Sequence, residues 1–80
     1  MDPREVVSRV KKAAGSVLKL DPDQISDDAN FVFDLGADSK QSTLLVGALE
    51  EEFGVSLDED KALAIQDIDS AAKFVAQYLD

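Results

Sequence analysis

The sequence predicts an all-α four-helix bundle, three main helices and one short one, with a long loop between helices one and two. Three observations predict it. Apolar residues recur at three- and four-residue spacing through residues 3–18, 39–53 and 68–79. An aspartate stands just before each run, as Asp2, Asp38 and Asp67 or Asp69, where a helix start needs an acceptor for its unpaired N–H groups. Gly54 follows the second run, the place where a residue in the left-handed conformation ends a helix. At 80 residues the chain is expected to form a single domain, residues 1–80, burying only about 60% of its unfolded surface.

In the first helix Pro3 takes the first position and Glu5 the third, so Asp2 and Glu5 have the pattern of a capping box. Val6, Val10, Ala13 and Val17, with Val7, Ala14 and Leu18 beside them, form one apolar stripe, and Arg4, Ser8, Lys11, Lys12 and Lys19 face away from it. Gly15 is expected to weaken this helix by up to about 1 kcal/mol relative to Ala. From Leu20 to Asp38 turn formers dominate, and Ile25, Phe31, Phe33 and Leu35 stand isolated among them. A connection of this length signals function or a loop pinned by its own anchors, and Ile25 and the two Phe residues are the expected anchors. The acids here do not make a calcium loop, because Asp21–Ser26 lacks both a third oxygen ligand and the Gly required at the sixth position.

The second helix runs from Ser39 to Phe53, with Asp38 as its cap and Gln41 as the capping-box partner. Leu45, Leu49, Phe53, Val46 and Ser42 share one face, and Lys40, Thr43, Leu44, Gly47, Glu50 and Glu51 share the other, with Glu52 on the flank. Val55-Ser56-Leu57 leads to one or two helical turns within residues 58–64. The last helix, about 68–79, buries Ala71, Ala72, Val75 and Leu79, with Phe74 and Tyr78 adding aromatic bulk.

Composition removes whole classes of chemistry. With no Cys and no His there is no disulfide framework, no zinc or haem site of the usual ligands, and no Ser-His or Cys-His nucleophile. The net charge of −9 disfavours nucleic acid and anionic membranes and points to basic partners. Apolar runs fall far short of the roughly 20 residues that span a bilayer, so stable membrane insertion is not expected. The opening Met1-Asp2-Pro3-Arg4-Glu5 lacks a basic stretch followed by an apolar one; a cytoplasmic protein is expected, an imported chain with its transit peptide removed being the other reading.

The informative segment is Phe33-Asp34-Leu35-Gly36-Ala37-Asp38-Ser39. Asp34-Leu35-Gly36 makes a turn, Asp38 caps, and Ser39 opens helix two with its hydroxyl at the surface, where free N–H groups and the positive end of the helix dipole favour a phosphate. On physics alone ordinary capping is the commoner explanation of such a Ser. The string from Phe31 to Ser39, followed by Ala48-Leu49-Glu50-Glu51-Glu52-Phe53-Gly54, resembles the acyl carrier proteins of fatty-acid and polyketide synthesis, and the resemblance covers essentially the whole chain.

That resemblance implies that Ser39 is the attachment point of 4′-phosphopantetheine, transferred from coenzyme A by a phosphopantetheinyl transferase using magnesium, with Asp38 helping to hold the metal during loading. No metal is implied permanently. The arm's thiol would hold the acyl group, which explains how a chain without Cys or His takes part in acyl chemistry as a carrier rather than an enzyme. The resemblance further implies an expandable acyl pocket; the residues alone show only a core. It also implies partners such as a ketosynthase and an acyltransferase with basic docking patches, met by a monomeric carrier through Lys40, Thr43, Leu44, Gly47, Glu50 and Glu51.

This sequence departs from the family just after the attachment Ser. Lys40 replaces an apolar residue, Gln41 an acid, and Leu44 stands where Glu is common. A reversed charge in a charge-complementary contact changes partner choice and encounter rate, so a specialised carrier is expected. The alternatives are an unmodified carrier-like interaction protein and a carrier of aminoacyl or peptidyl groups in nonribosomal synthesis.

Overall fold

The structure, a computed structural model, describes residues 1–79. Its elements are α1 (Pro3–Leu18), a 3₁₀ turn at Pro22–Gln24, α2 (Ser39–Phe53), α3 (Glu59–Leu63) and α4 (Ile68–Ala76). The described residues are helical with no strand, apart from one isolated antiparallel bridge between Asn30 and Asp67. α1 packs against both α2 and α4, and α3 packs on α2. Val6, Val10, Ala13 and Ala14 meet Leu45 and Leu49 of α2 and Ile68, Ala71, Ala72 and Val75 of α4 in one core, which Ile25, Ala29, Phe31 and Ala37 close from the loop.

The helix boundaries of α1 and α2 fall where the caps and Gly54 put them. Of the two expected capping boxes, the one at α2 forms reciprocally and the one at α1 does not. At α1 the Asp2 carboxylate accepts from Arg4 N at 2.7 Å, and the N–H of Glu5 goes instead to the Asp2 carbonyl at 2.9 Å. Asp67, not Asp69, caps α4, accepting from Ser70 N at 2.7 Å. α4 ends at Ala76, short of Leu79, because its last turn tightens: Gln77, Tyr78 and Leu79 donate to the carbonyls three residues back. Leu79 still packs half-buried on the core.

Gly15 has a use that helix propensity does not reveal. Lys19 ends α1 in the left-handed conformation (φ 59°), and the N–H groups of Lys19 and Leu20 both turn back to the Gly15 carbonyl. The reversed chain then lies against α1, so that a Cβ on residue 15 would stand 2.5 Å from the Leu20 carbonyl oxygen and 3.1 Å from Pro22 Cγ. A side chain at this position would collide with backbone.

α1 is also fastened to the far end of α2. Arg9 Nε donates to Glu52 Oε2 at 2.8 Å, its Nη2 donates to the Glu52 carbonyl, and its guanidinium lies 4.8 Å from the Phe53 ring centre. Lys12 Nζ stands 3.8 Å from the other Glu52 oxygen. Glu52 therefore does lean to the flank.

Candidate functional site

The long loop ends in a short turn that is capped at both ends. The Asn30 side-chain oxygen accepts the N–H groups of Val32 and Phe33, both at 2.9 Å, and the Asp34 carboxylate accepts the Asn30 N–H at 2.7 Å. Gly36, at φ 74°, closes the turn: its N–H meets the Val32 carbonyl at 3.1 Å, and the Ala37 N–H meets the Phe31 carbonyl at 2.8 Å. The first of these bonds, from the left-handed residue's N–H to the carbonyl four back, is one way in which helices end on a glycine. Phe31 N donates to the Gln66 carbonyl at 2.9 Å and Ile68 N to the Ala29 carbonyl at 3.0 Å, tying the turn to the start of α4.

Within one helical turn, residues four apart share a face. Phe31 and Leu35 accordingly point inward, and Phe33, between them, is thrown outward. Ile25 and Phe31 are buried anchors as expected; Phe33 is not, being 89% exposed. Asn30 was the anchor missed in the sequence, and its signal was the Asn30/Asp34 pairing four residues apart, ahead of Gly36.

This pinned turn delivers the chain into α2. Asp38 Oδ1 accepts from Gln41 N at 2.8 Å and Gln41 Oε1 from Asp38 N at 3.1 Å. Ser39 follows as the first helical residue, exposed, with its carbonyl accepting from Thr43 Oγ1 at 3.2 Å. Because Asp38 serves Gln41 and Ser42, the N–H groups of Ser39 and Lys40 have no acceptor among the described residues. An exposed hydroxyl beside two free N–H groups at the positive end of a helix suits a phosphodiester attached there.

The outer face of α2 carries Lys40, Thr43, Leu44, Gly47 and Glu51, all exposed. Lys40 has no ion-pair partner among the described residues. Glu50, expected on this face, is half-buried and turned aside, its carboxylate accepting from Leu57 N at 2.8 Å. With Glu52 held by Arg9, Glu51 is the one glutamate of the three that no described residue engages.

On the inner side of α2 lies a cavity of about 350 Å³. Ser42, Leu45, Val46 and Leu49 form its α2 wall; Asn30–Phe33, Leu63 and Ile65, and Ala71 and Phe74 close it from the loop, the α3 side and α4. Ser42 is one turn beyond Ser39, so the exposed Ser39 and the cavity wall lie on neighbouring positions of one helix.

Residues 8–75 match the family described as the phosphopantetheine attachment site. Among known proteins, "Acyl carrier protein 2, mitochondrial" of Arabidopsis thaliana is 42% identical over 78 residues, 98% of this chain and 62% of that protein. "Acyl carrier protein" of Phenylobacterium zucineum (strain HLK1) is 40% identical over 75 residues, 94% of this chain and 95% of that protein. The chain belongs to the acyl carrier protein family. Members of this family are carriers, not enzymes, and their cofactor is 4′-phosphopantetheine. An acyl carrier protein works alongside acyl-processing enzymes, which fits a chain without catalytic Cys or His. Among the described residues no helix is long and apolar enough to cross a membrane.

Proposed function

We propose that this acyl carrier protein, a single monomeric domain over residues 1–80, bears its 4′-phosphopantetheine on Ser39 and passes acyl groups between enzymes of fatty-acid, lipid or polyketide synthesis. The observation that carries this reading is the exposed Ser39 hydroxyl at the first position of α2, presented by a turn that Asn30, Asp34 and Gly36 fix in place. When bound, the group supplies the thiol that holds the acyl chain as a thioester. Asp38, exposed beside Ser39, would help hold magnesium for the phosphopantetheinyl transferase during loading, its Oδ1 meanwhile keeping the helix start formed. The free N–H groups of Ser39 and Lys40 would receive the phosphate. The cavity behind Ser42 would shelter the acyl chain.

Partner choice is part of the same proposal. Lys40, Thr43, Leu44, Gly47 and Glu51 form the face that would meet ketosynthase, acyltransferase and transferase, while Glu50 takes part in it least, being committed to Leu57 N. Lys40, Gln41 and Leu44 would select specialised enzymes with a charge pattern of their own. A cytoplasmic location, expected from the sequence, belongs to this reading.

The test is incubation with coenzyme A, magnesium and broad-specificity transferases, followed by intact mass. The wild type gains the arm and Ser39→Ala does not. No gain on the wild type with several transferases would overturn the reading in favour of an unmodified interaction protein.

A further inference from the structure

Val32 and Phe33 from the loop and Leu63 from α3 form an apolar patch that the fold leaves uncovered. The three surround one opening and are 54%, 89% and 44% exposed. Lone exposed apolar residues are ordinary; three together, the most exposed also the largest, are not. Phe33 is not loose chain that failed to find the core. Its N–H is held by the Asn30 side chain and Gly36 closes its turn, so its outward direction is built in. A ring 89% exposed presents most of its area outside the cavity, to whatever approaches the molecule.

Acids border this patch. Asp34 follows Phe33 and is exposed. On α3, Glu59 and Asp60 stand four and three residues before Leu63 and share its side of the helix, while Lys61, two residues away, lies off that side. None of these three acids pairs with a cation among the described residues. An apolar centre with a charged border is the anatomy of a protein–protein interface. A second copy of this chain is the wrong occupant: symmetric pairing sets each patch against itself, acids facing acids, between two chains of net charge −9.

We infer that Phe33, with Val32 and Leu63, is a docking anchor for an acyltransferase surface that carries an apolar socket edged by Lys or Arg. This anchor lies on the cavity side of α2, apart from the outer face that bears Lys40 and Glu51. The inference rests on Ser39 bearing the arm, since the arm is what brings such an enzyme here. The turn that holds Phe33 outward also delivers the chain to Ser39, so an enzyme seated on the ring stands near the root of the arm. An aromatic side chain on a pinned turn enters a socket with little ordering cost, and buried aromatics are the residues on which interfaces most depend. Phe33 contributes nothing to the core, so its ring is free for a partner without cost to the fold.

The experiment loads wild type, Phe33→Ser and Phe33→Leu with the arm and checks loading by intact mass. It then measures KM and kcat for each holo-protein with the purified acyltransferases of the genome that encodes this chain, charging from malonyl- or acetyl-coenzyme A. The arm arrives as a free thiol, so no acyl chain occupies the cavity when the enzyme binds. With at least one enzyme Phe33→Ser is expected to raise KM about tenfold at unchanged kcat, the modest end of what losing an aromatic anchor costs. Phe33→Leu, which keeps apolar contact, loses less, and both variants melt like wild type. Glu59→Gln with Asp60→Asn raises KM at low salt and not at high salt, where the border charges are screened. Equal KM for wild type and Phe33→Ser with every enzyme that charges the wild type overturns the inference, as does failure of all of them to charge the loaded wild type. A wild-type dimer in sedimentation that Phe33→Ser dissolves also overturns it and gives the patch to a second copy. Absence of any mass gain overturns the Ser39 reading beneath it, and is distinct from a loaded carrier that enzymes charge alike with or without the ring.

Discussion

Replacing Gly15 by Ala sets two large effects against each other, and the structure decides the sign. Helix propensity favours Ala in a helix interior by about 1 kcal/mol, so α1 in isolation would gain. In the folded chain the new Cβ lies 2.5 Å from the Leu20 carbonyl oxygen and 3.1 and 3.3 Å from Pro22 Cγ and Cδ. The first contact is with backbone, which cannot swing aside as the end of a side chain does. Relief requires the reversed segment to move outward, away from the Gly15 carbonyl that accepts Leu20 N at 2.9 Å. Overpacking costs about 1–3 kcal/mol, and a clash with backbone and a proline ring together belongs at the upper end. The net is a destabilisation of about 2 kcal/mol. At about 4–8 °C per kcal/mol for a domain of this size, Gly15→Ala should melt roughly 8–16 °C below wild type by far-UV circular dichroism. A variant melting at or above wild type would refute the close approach and leave propensity as the only effect of Gly15.

Two further substitutions test the local geometry. Lys19→Gly should stabilise the fold by about 0.5–1 kcal/mol, read as a higher urea midpoint at constant slope, because Lys19 holds a left-handed conformation at φ 59° that costs a side-chain-bearing residue about 1–2 kcal/mol, part of which the freer unfolded glycine offsets. Asn30→Ala should destabilise by about 1–2 kcal/mol and speed amide exchange at Val32 and Phe33, whose N–H groups both lose their acceptor; protection equal to wild type would show that the turn does not depend on its cap.

The helices were legible in the sequence because each carries its own signal. Asp38, Gln41 and Gly54 mark α2 at both ends by local chemistry, and that chemistry survives folding unchanged. What was not legible depends on where distant chain comes to rest. Gly15 reads as a weak spot until the reversed segment is laid on it. Glu50 and Glu51 are neighbours of equal charge, and only the position of Leu57 N separates the carboxylate that is engaged from the one that is free. Phe33 read as an anchor because an isolated Phe in a loop usually is one; its outward direction follows from the helical turn that Asn30 and Gly36 impose, which fixes Phe31 inward and leaves residue 33 on the other side. Of the candidate site, Asp38 as cap and Ser39 as the first residue of α2 were readable from the motif, and the residues that line the cavity were not.

The division of charge along the chain bears on how the proposed face would discriminate. Residues 1–20 hold five basic and two acidic side chains, and residues 21–80 hold three basic and fifteen acidic. Much of the basic excess is spent inside the fold: Arg9 and Lys12 face Glu52, and Lys11 pairs with Asp27. The first helix therefore neutralises acids on its own side, and the chain as a whole keeps a net charge of −9. Such a field attracts any basic enzyme from a distance and speeds encounter without choosing among them. Choice has to be made at contact range, where the outer face of α2 offers a cation at Lys40, an apolar or neutral stretch through Thr43, Leu44 and Gly47, and an anion at Glu51. A partner surface that is basic throughout is attracted to this molecule but meets Lys40 with like charge beside the proposed attachment point, so the residue best placed to reject an enzyme is also the one nearest to where its chemistry would start.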